Sequence, residues 1–178
     1  MEPAADFLAQ SREYLTMHCL PKIRAAVAPL GDADLWWRPN EASNSIGNLL
    51  LHLAGNLRQW IVSGVGGAPD RRDRAAEFAR RVPLPVAELL ELLTRAVLDA
   101  DVVLAGCDPA ELGRRLLVQG REVTALQAIY HAVEHLSHHA GQILYIAKLR
   151  SGVDLGFYRL EGTIPRPAWP GRPDGGSA

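Results

Sequence analysis

Cysteine is scarce in this chain. The two present, Cys19 and Cys107, lie far apart and in no Cys-x-x-Cys pairing, which excludes both a disulfide scaffold and a cysteine-built zinc site. A one-sided charge is also missing. Lys and Arg total 19 against 20 Asp and Glu, a formal net charge of -1, so no global positive field exists to hold nucleic acid or an anionic membrane surface. No apolar run approaches the ~20 residues that span a bilayer. The opening residues, Met1 to Asp6, have neither the basic start nor the apolar stretch of a signal peptide. No fixed-period repeat suggests a solenoid or propeller. These absences predict a soluble, cytoplasmic protein that binds neither nucleic acid nor membrane. What remains is 178 residues, 48% of them hydrophobic, enough for one compact domain with a full core.

The apolar spacing predicts four long helices. The first covers about Ala4 to Ala28, with Phe7, Leu8, Tyr14, Leu15, Ile23 and Val27 on its core side, a kink or split at Pro21 and a stop at Pro29. Leu35 to Asn40 should lie across one end of the bundle, since Pro39 disfavours helix and the tryptophans need packing partners. The second helix should start in the Ser43-Asn44-Ser45 cluster and run to about Val62, carrying the stripe Ile46, Leu49, Leu50, Leu53, Leu57, Trp60 and Ile61. A glycine-rich turn and a charged connector, Asp70 to Phe78, follow. Pro83 and Pro85 precede a third helix that ends near Ala105, and Asp108-Pro-Ala-Glu111 reads as a capped turn. A short hairpin is expected around Gln119-Gly120. Thr124-x-x-Gln127 is a capping box that opens a fourth helix, closed by Gly152. The expected fold is all-α, a four-helix bundle over residues 1–162 with a proline- and glycine-rich tail over 163–178, whose last residues, from Asp174, should be disordered.

Five of the six histidines fall in two of these helices: His52 in the second, and His131, His135, His138 and His139 in the fourth. Imidazole nitrogens bind divalent transition metals at neutral pH, and residues four apart share a helix face. That spacing allows His131 with His135 as well as His135 with His139. Helical projection separates them. From the centre of the apolar face, His139 lies roughly 90° away and His135 roughly 130°, whereas His131 and His138 lie roughly 170° away, facing solvent or standing behind the ligands. The pair nearest the core is His135 and His139. His52 supplies a third ligand if the second and fourth helices face each other, because an unpartnered imidazole in so apolar a helix would be costly. Asn48 and Asn56, one turn either side of it, are candidates to orient the ligating imidazole, and Gln142 joins them. Three neutral histidines leave coordination positions open, as in a catalytic site.

The stretches Asn44–Asn56 (NSIGNLLLHLAGN) and His131–Ile143 (HAVEHLSHHAGQI) resemble the DinB/YfiT-like family, whose second-helix histidine and fourth-helix His-x-x-x-His they match. With Leu35–Asn40 (LWWRPN) and Arg72–Phe78 (RDRAAEF), the resemblance covers most of residues 5 to 150. It implies a four-helix bundle, metal ligands at His52, His135 and His139, an ion that is zinc, nickel or iron, and pairing into homodimers. It also implies, from some relatives, transfer or isomerisation chemistry with a low-molecular-weight thiol such as bacillithiol, mycothiol or glutathione, acting on a small-molecule substrate.

Three functions compete at this point. In a metal-dependent thiol transferase, the favoured one, the ion lowers the pKa of a thiol that attacks an electrophile, and Arg38, Arg72 or Arg74 holds the thiol's carboxylates unless, as surface residues, they are merely solvated. In a metal-dependent hydrolase, activated water needs a carboxylate base. Glu134 points about 100° away from its neighbour His135, which leaves Asp73 or Glu77. In a non-catalytic protein, the ion only stabilises the bundle.

Overall fold

The computed structural model describes residues 2–170. Its first long helix is α-helical over Pro3–Glu13, π-helical over Tyr14–Cys19 and α-helical again over Leu20–Val27. Proline at its first turn needs no intrahelical hydrogen bond there. Pro21 does not break the helix; the irregularity lies just upstream, in the π-helical stretch. A short helix, Asp32–Leu35, leads into the two tryptophans. The Trp36 ring packs where a side chain on Gly47 would stand, 2.7 Å from its Cβ position, and the indole donates to the Leu84 carbonyl (3.1 Å).

The second long helix starts at a reciprocal cap. Ser45 accepts from the Asn48 backbone N–H, and the Asn48 side chain accepts from the Ser45 N–H, so two otherwise unpaired donors are satisfied. It is α-helical over Ile46–Leu57 and π-helical over Arg58–Val65, three residues beyond the expected end. A one-turn helix, Arg74–Ala79, occupies the connector, capped by Asp73. The third long helix is Val86–Ala105. A 3-10 turn, Pro109–Gly113, precedes the expected hairpin of β1 (Arg115–Val118) and β2 (Arg121–Thr124), whose turn residues Gln119 and Gly120 have φ of 53° and 72°. Two consecutive left-handed residues give the tight turn that suits paired strands. The fourth long helix, Ala125–Ser151, opens on the Thr124–Gln127 box and closes at Gly152 (φ 67°).

The second helix packs on the third and the fourth, and the first packs on the third and fourth. Their facing stripes, among them Leu15, Ile23, Leu50, Leu53, Leu57, Ile61, Leu89, Leu93, Val97, Leu104, Ile129, Leu136 and Ile143, are almost fully buried. Each such Leu or Ile contributes about 1.5–3 kcal/mol relative to exposure. No helix of the described residues is long and apolar enough to cross a membrane.

Beyond the bundle, β3 (Tyr158–Glu161) and β4 (Ile164–Pro167) form a second hairpin. The boundary expected at residues 162 and 163 falls in its turn. Trp169, buried, donates through its indole to the Met17 carbonyl (2.8 Å) and lies under the Lys22 ammonium, 3.7 Å from the ring centre. Pro21 has no N–H to return to that carbonyl one turn earlier, so the indole supplies a donor there. The expected disorder from Asp174 onward lies outside the described residues.

Candidate metal centre

His52 sits midway along the second helix, 3% exposed, and faces His135 and His139 across the interface with the fourth. One nitrogen from each of the three rings lies within 4.8 Å of the others. The closest pair, His52 Nε2 and His135 Nε2, is 2.7 Å apart, and the ring centres stand 4.4 to 5.2 Å from one another. Two nitrogens on one tetrahedral ion, each at 2.0–2.1 Å, are about 3.3 Å apart. That value falls between the closest pair and the outer limit, so small ring rotations bring all three onto one ion.

The donor chemistry fits as well. Glu77 Oε2 lies 2.9 Å from His52 Nδ1 and an ionised carboxylate only accepts, while Arg72 Nη2, 3.1 Å from the same nitrogen, spends its donors on Glu77 Oε2 and the His52 carbonyl, so Nδ1 carries the proton and Nε2 keeps its lone pair toward the fourth helix. Burial alone would raise the Glu77 carboxyl, but hydrogen bonds from Arg72 and His52 outweigh it and hold the group below the usual carboxylate value. Gln142 Oε1 accepts from His139 Nδ1 (2.7 Å) and fixes that ring the same way. Burial, reinforced by His139 and His52, pushes His135 down to about 3. Burial lowers His139 too, against the opposing hydrogen bond from Gln142. Neutral rings, two of them with lone pairs turned inward, suit a divalent transition-metal ion.

Glu77 itself is clamped. Arg72 grips both carboxylate oxygens, Nε to Oε1 at 2.7 Å and Nη2 to Oε2 at 2.9 Å, and also reaches the His52 carbonyl (3.3 Å) and Gln59 Oε1 (2.9 Å). The side chains of Arg72 and Glu77 are 3% and 9% exposed. Gly55, one turn after Leu51 on the second helix, makes room for them: a Cβ there would stand 2.0 Å from Glu77 Oε1. Asn48 holds the same segment by its backbone, its amide donating to the Glu77 and Arg80 carbonyls (2.9 and 3.2 Å).

Several expectations change here. Arg72 is not a solvated surface residue; it is buried because its charge is matched by a two-pronged carboxylate. Glu77 cannot serve as a base for water, being bound to Arg72 and to the Nδ1 side of His52, and Asp73 accepts from the Ala76 N–H as a helix cap (3.0 Å). Asn48 orients the Glu77 segment rather than His52. Asn56 reaches His131, not His52, with its amide nitrogen 3.4 Å from His131 Nε2. Of the two places expected for His131 it takes the one behind the ligands: half-buried, it packs on Trp60 (4.1 Å between ring centres) and stacks on His135 (5.2 Å), and burial lowers its pKa. Asn56 Oδ1 and Trp60 Nε1 are buried beside it without a hydrogen-bond partner. His138 is exposed and contacts Gln142 (3.4 Å). Phe78 walls the site, its ring 4.6 Å from that of His52, and Arg74 lies over Phe78. A cavity of about 350 Å³ borders Gly55, Arg72 and Glu77 but none of the three histidines, so it meets the triad only through the Arg72–Glu77 pair.

Comparison with known proteins places the fold. A DinB-like protein from Bacillus cereus is 17% identical, with a TM-score of 0.64 over 83% of this chain and 93% of its own. A DinB-like protein from Bacillus subtilis is 20% identical, with a TM-score of 0.63 over 83% of this chain and 96% of its own. A conserved protein from Enterococcus faecalis is 17% identical, with a TM-score of 0.60 over 84% and 96%. No curated protein matches the chain in sequence. The profile of the DinB superfamily matches residues 18–143, most of the bundle and all three converging histidines, and the chain belongs to that superfamily.

Proposed function

We propose that this protein holds one divalent ion, zinc, nickel or iron, on His52, His135 and His139, and is a metal-dependent transferase that joins a low-molecular-weight thiol to an electrophilic small molecule. The observation that carries this reading is the convergence of three imidazoles from two helices on one point. An ion on three neutral imidazoles supplies Lewis acidity and renders a bound thiol acidic at neutral pH. The chain's own groups prepare the place. Glu77 and Gln142 turn two lone pairs inward, while Phe78 gives the site an apolar wall that limits water. Arg74, stacked on Phe78, is the cation of the three considered that remains able to meet a thiol's carboxylate, since Arg72 is committed to Glu77 and Arg38 lies beside Glu41 (3.5 Å).

A hydrolase is less well supported, because both carboxylates considered as its base are engaged elsewhere. A homodimer in the cytoplasm completes the proposal. Two free cysteines suit a reducing compartment, and Leu126, Tyr130, Tyr145 and Leu149 leave exposed apolar surface on the fourth helix. The test follows thiol consumption with a panel of thiols and electrophiles in zinc-, nickel- or iron-loaded protein. Wild type should turn over and His135→Ala should not; equal rates in both reject the transferase, and a metal content unchanged in His135→Ala rejects the ligand set.

A further inference from the structure

We propose that Arg72 and Glu77 act as a positioning pair which, through the Nδ1–H of His52, sets the affinity of the triad for its ion; the inference rests on the triad being the metal site. His52 is the ligand most removed from water, and its lone pair points inward only while Nδ1 holds the proton. Glu77 enforces that state with an acceptor at 2.9 Å. A free carboxylate so placed could swing or take a proton. Arg72 prevents both, gripping each oxygen and anchoring to the His52 carbonyl and Gln59 besides.

The two charges of the pair cancel, so its contribution to the ion is chiefly orientation rather than neutralisation. Removing Glu77 alone would therefore mislead: the buried guanidinium, left unpaired near the site, would repel any cation and strain the fold. The arrangement is also built for this contact. The helix carrying His52 has glycine at a place where a side chain would push Glu77 away, and Asn48 of the same helix grips the Glu77 backbone. His52, the glycine that leaves room for Glu77 and the asparagine that holds its backbone all lie within about two turns of one another.

Two equally uncharged double variants isolate the acceptor. Arg72→Met/Glu77→Gln keeps an oxygen for His52 Nδ1, whereas Arg72→Met/Glu77→Leu has none at nearly the same volume. Zinc affinity is measured by chelator competition, the ligand field by visible absorption of the cobalt-loaded protein, and the fold by the Tm after metal removal. The Gln variant should bind zinc within a few-fold of wild type with the same cobalt spectrum. The Leu variant should bind 10- to 100-fold more weakly with shifted bands, at a metal-free Tm close to that of the Gln variant. Equal zinc affinities and spectra in the two variants would overturn the positioning role while leaving the triad intact. A wild type that takes up no zinc, or a His135→Ala variant that binds it as tightly as wild type, would overturn the triad reading and this inference together.

Discussion

Replacing Gly55 with alanine should destabilise this protein, although the same change in an ordinary helix does the opposite. Glycine inside a helix costs about 0.8–1.0 kcal/mol relative to alanine, so Gly55→Ala gains that amount from the backbone. Against it stands a methyl group 2.0 Å from Glu77 Oε1 and 3.0 Å from Arg72 Nε. The far end of a glutamate can normally step aside. Here it is fixed by Arg72 on both oxygens and by His52, and moving it uncouples charges that are nearly sealed from water. Breaking one side of a buried ion pair costs about 3–5 kcal/mol. The net loss should be about 2–4 kcal/mol, a Tm lower by roughly 6–12 °C for a chain of this size. Urea denaturation and thermal melting of metal-free protein at pH 7 measure it, and Gly55→Ala should also weaken zinc binding. A variant that melts at or above the wild-type temperature would refute the reasoning, since it would mean the ion pair does not need the space glycine leaves.

Two further outcomes follow from the geometry. Trp169→Phe, which removes the indole N–H to the Met17 carbonyl and part of the buried ring, should cost about 1–2 kcal/mol, and Trp169→Ala about 3 kcal/mol or more, both read from urea midpoints; no change in either would mean the last described segment does not brace the first helix. Stability of the metal-free protein should depend on pH through His131, His135 and His139, whose folded values all lie below the ordinary 6.5. The unfolded chain takes up those protons first. Stability is therefore full above about pH 6.5 and falls as the pH drops toward the folded value of about 3 at His135. Urea midpoints that stay level or rise between pH 7 and pH 5 would contradict the neutral state of these rings.

The parts of the fold visible in the sequence were those written in local patterns. The cap in the Ser43-Asn44-Ser45 cluster, the Thr124–Gln127 box, the Gln119-Gly120 turn and the glycine that ends the fourth helix each depend on a few adjacent residues, whereas the answering half of the first cap, Asn48, was read as a partner of His52. The convergence of His52 with His135 and His139 was also legible, because four-residue spacing and one polar break in an apolar helix needed only the two helices to face each other. The clamp on Glu77 was not. In the connector, Arg72 and Glu77 are two charges among six within nine residues, and such a run normally belongs to solvent. Their burial follows from Gly55, which reads alone as a weak helix position, and from a one-turn helix docking on the second long helix. The π-helical stretches at Tyr14–Cys19 and Arg58–Val65 were hidden for a related reason. They alter the turn by one residue, and the rotation estimated for His131 takes no account of Trp60, which that second stretch presents to it.

The amide of Asn48 ties two distant events into one. Its oxygen closes the start of the second helix while its nitrogen grips the end of the Arg74–Ala79 turn. Fraying of that helix start thus releases the turn in the same motion and takes the partner of His52 with it. In amide exchange, the first turn of the one and the whole of the other should open as a single cooperative unit, with shared protection factors.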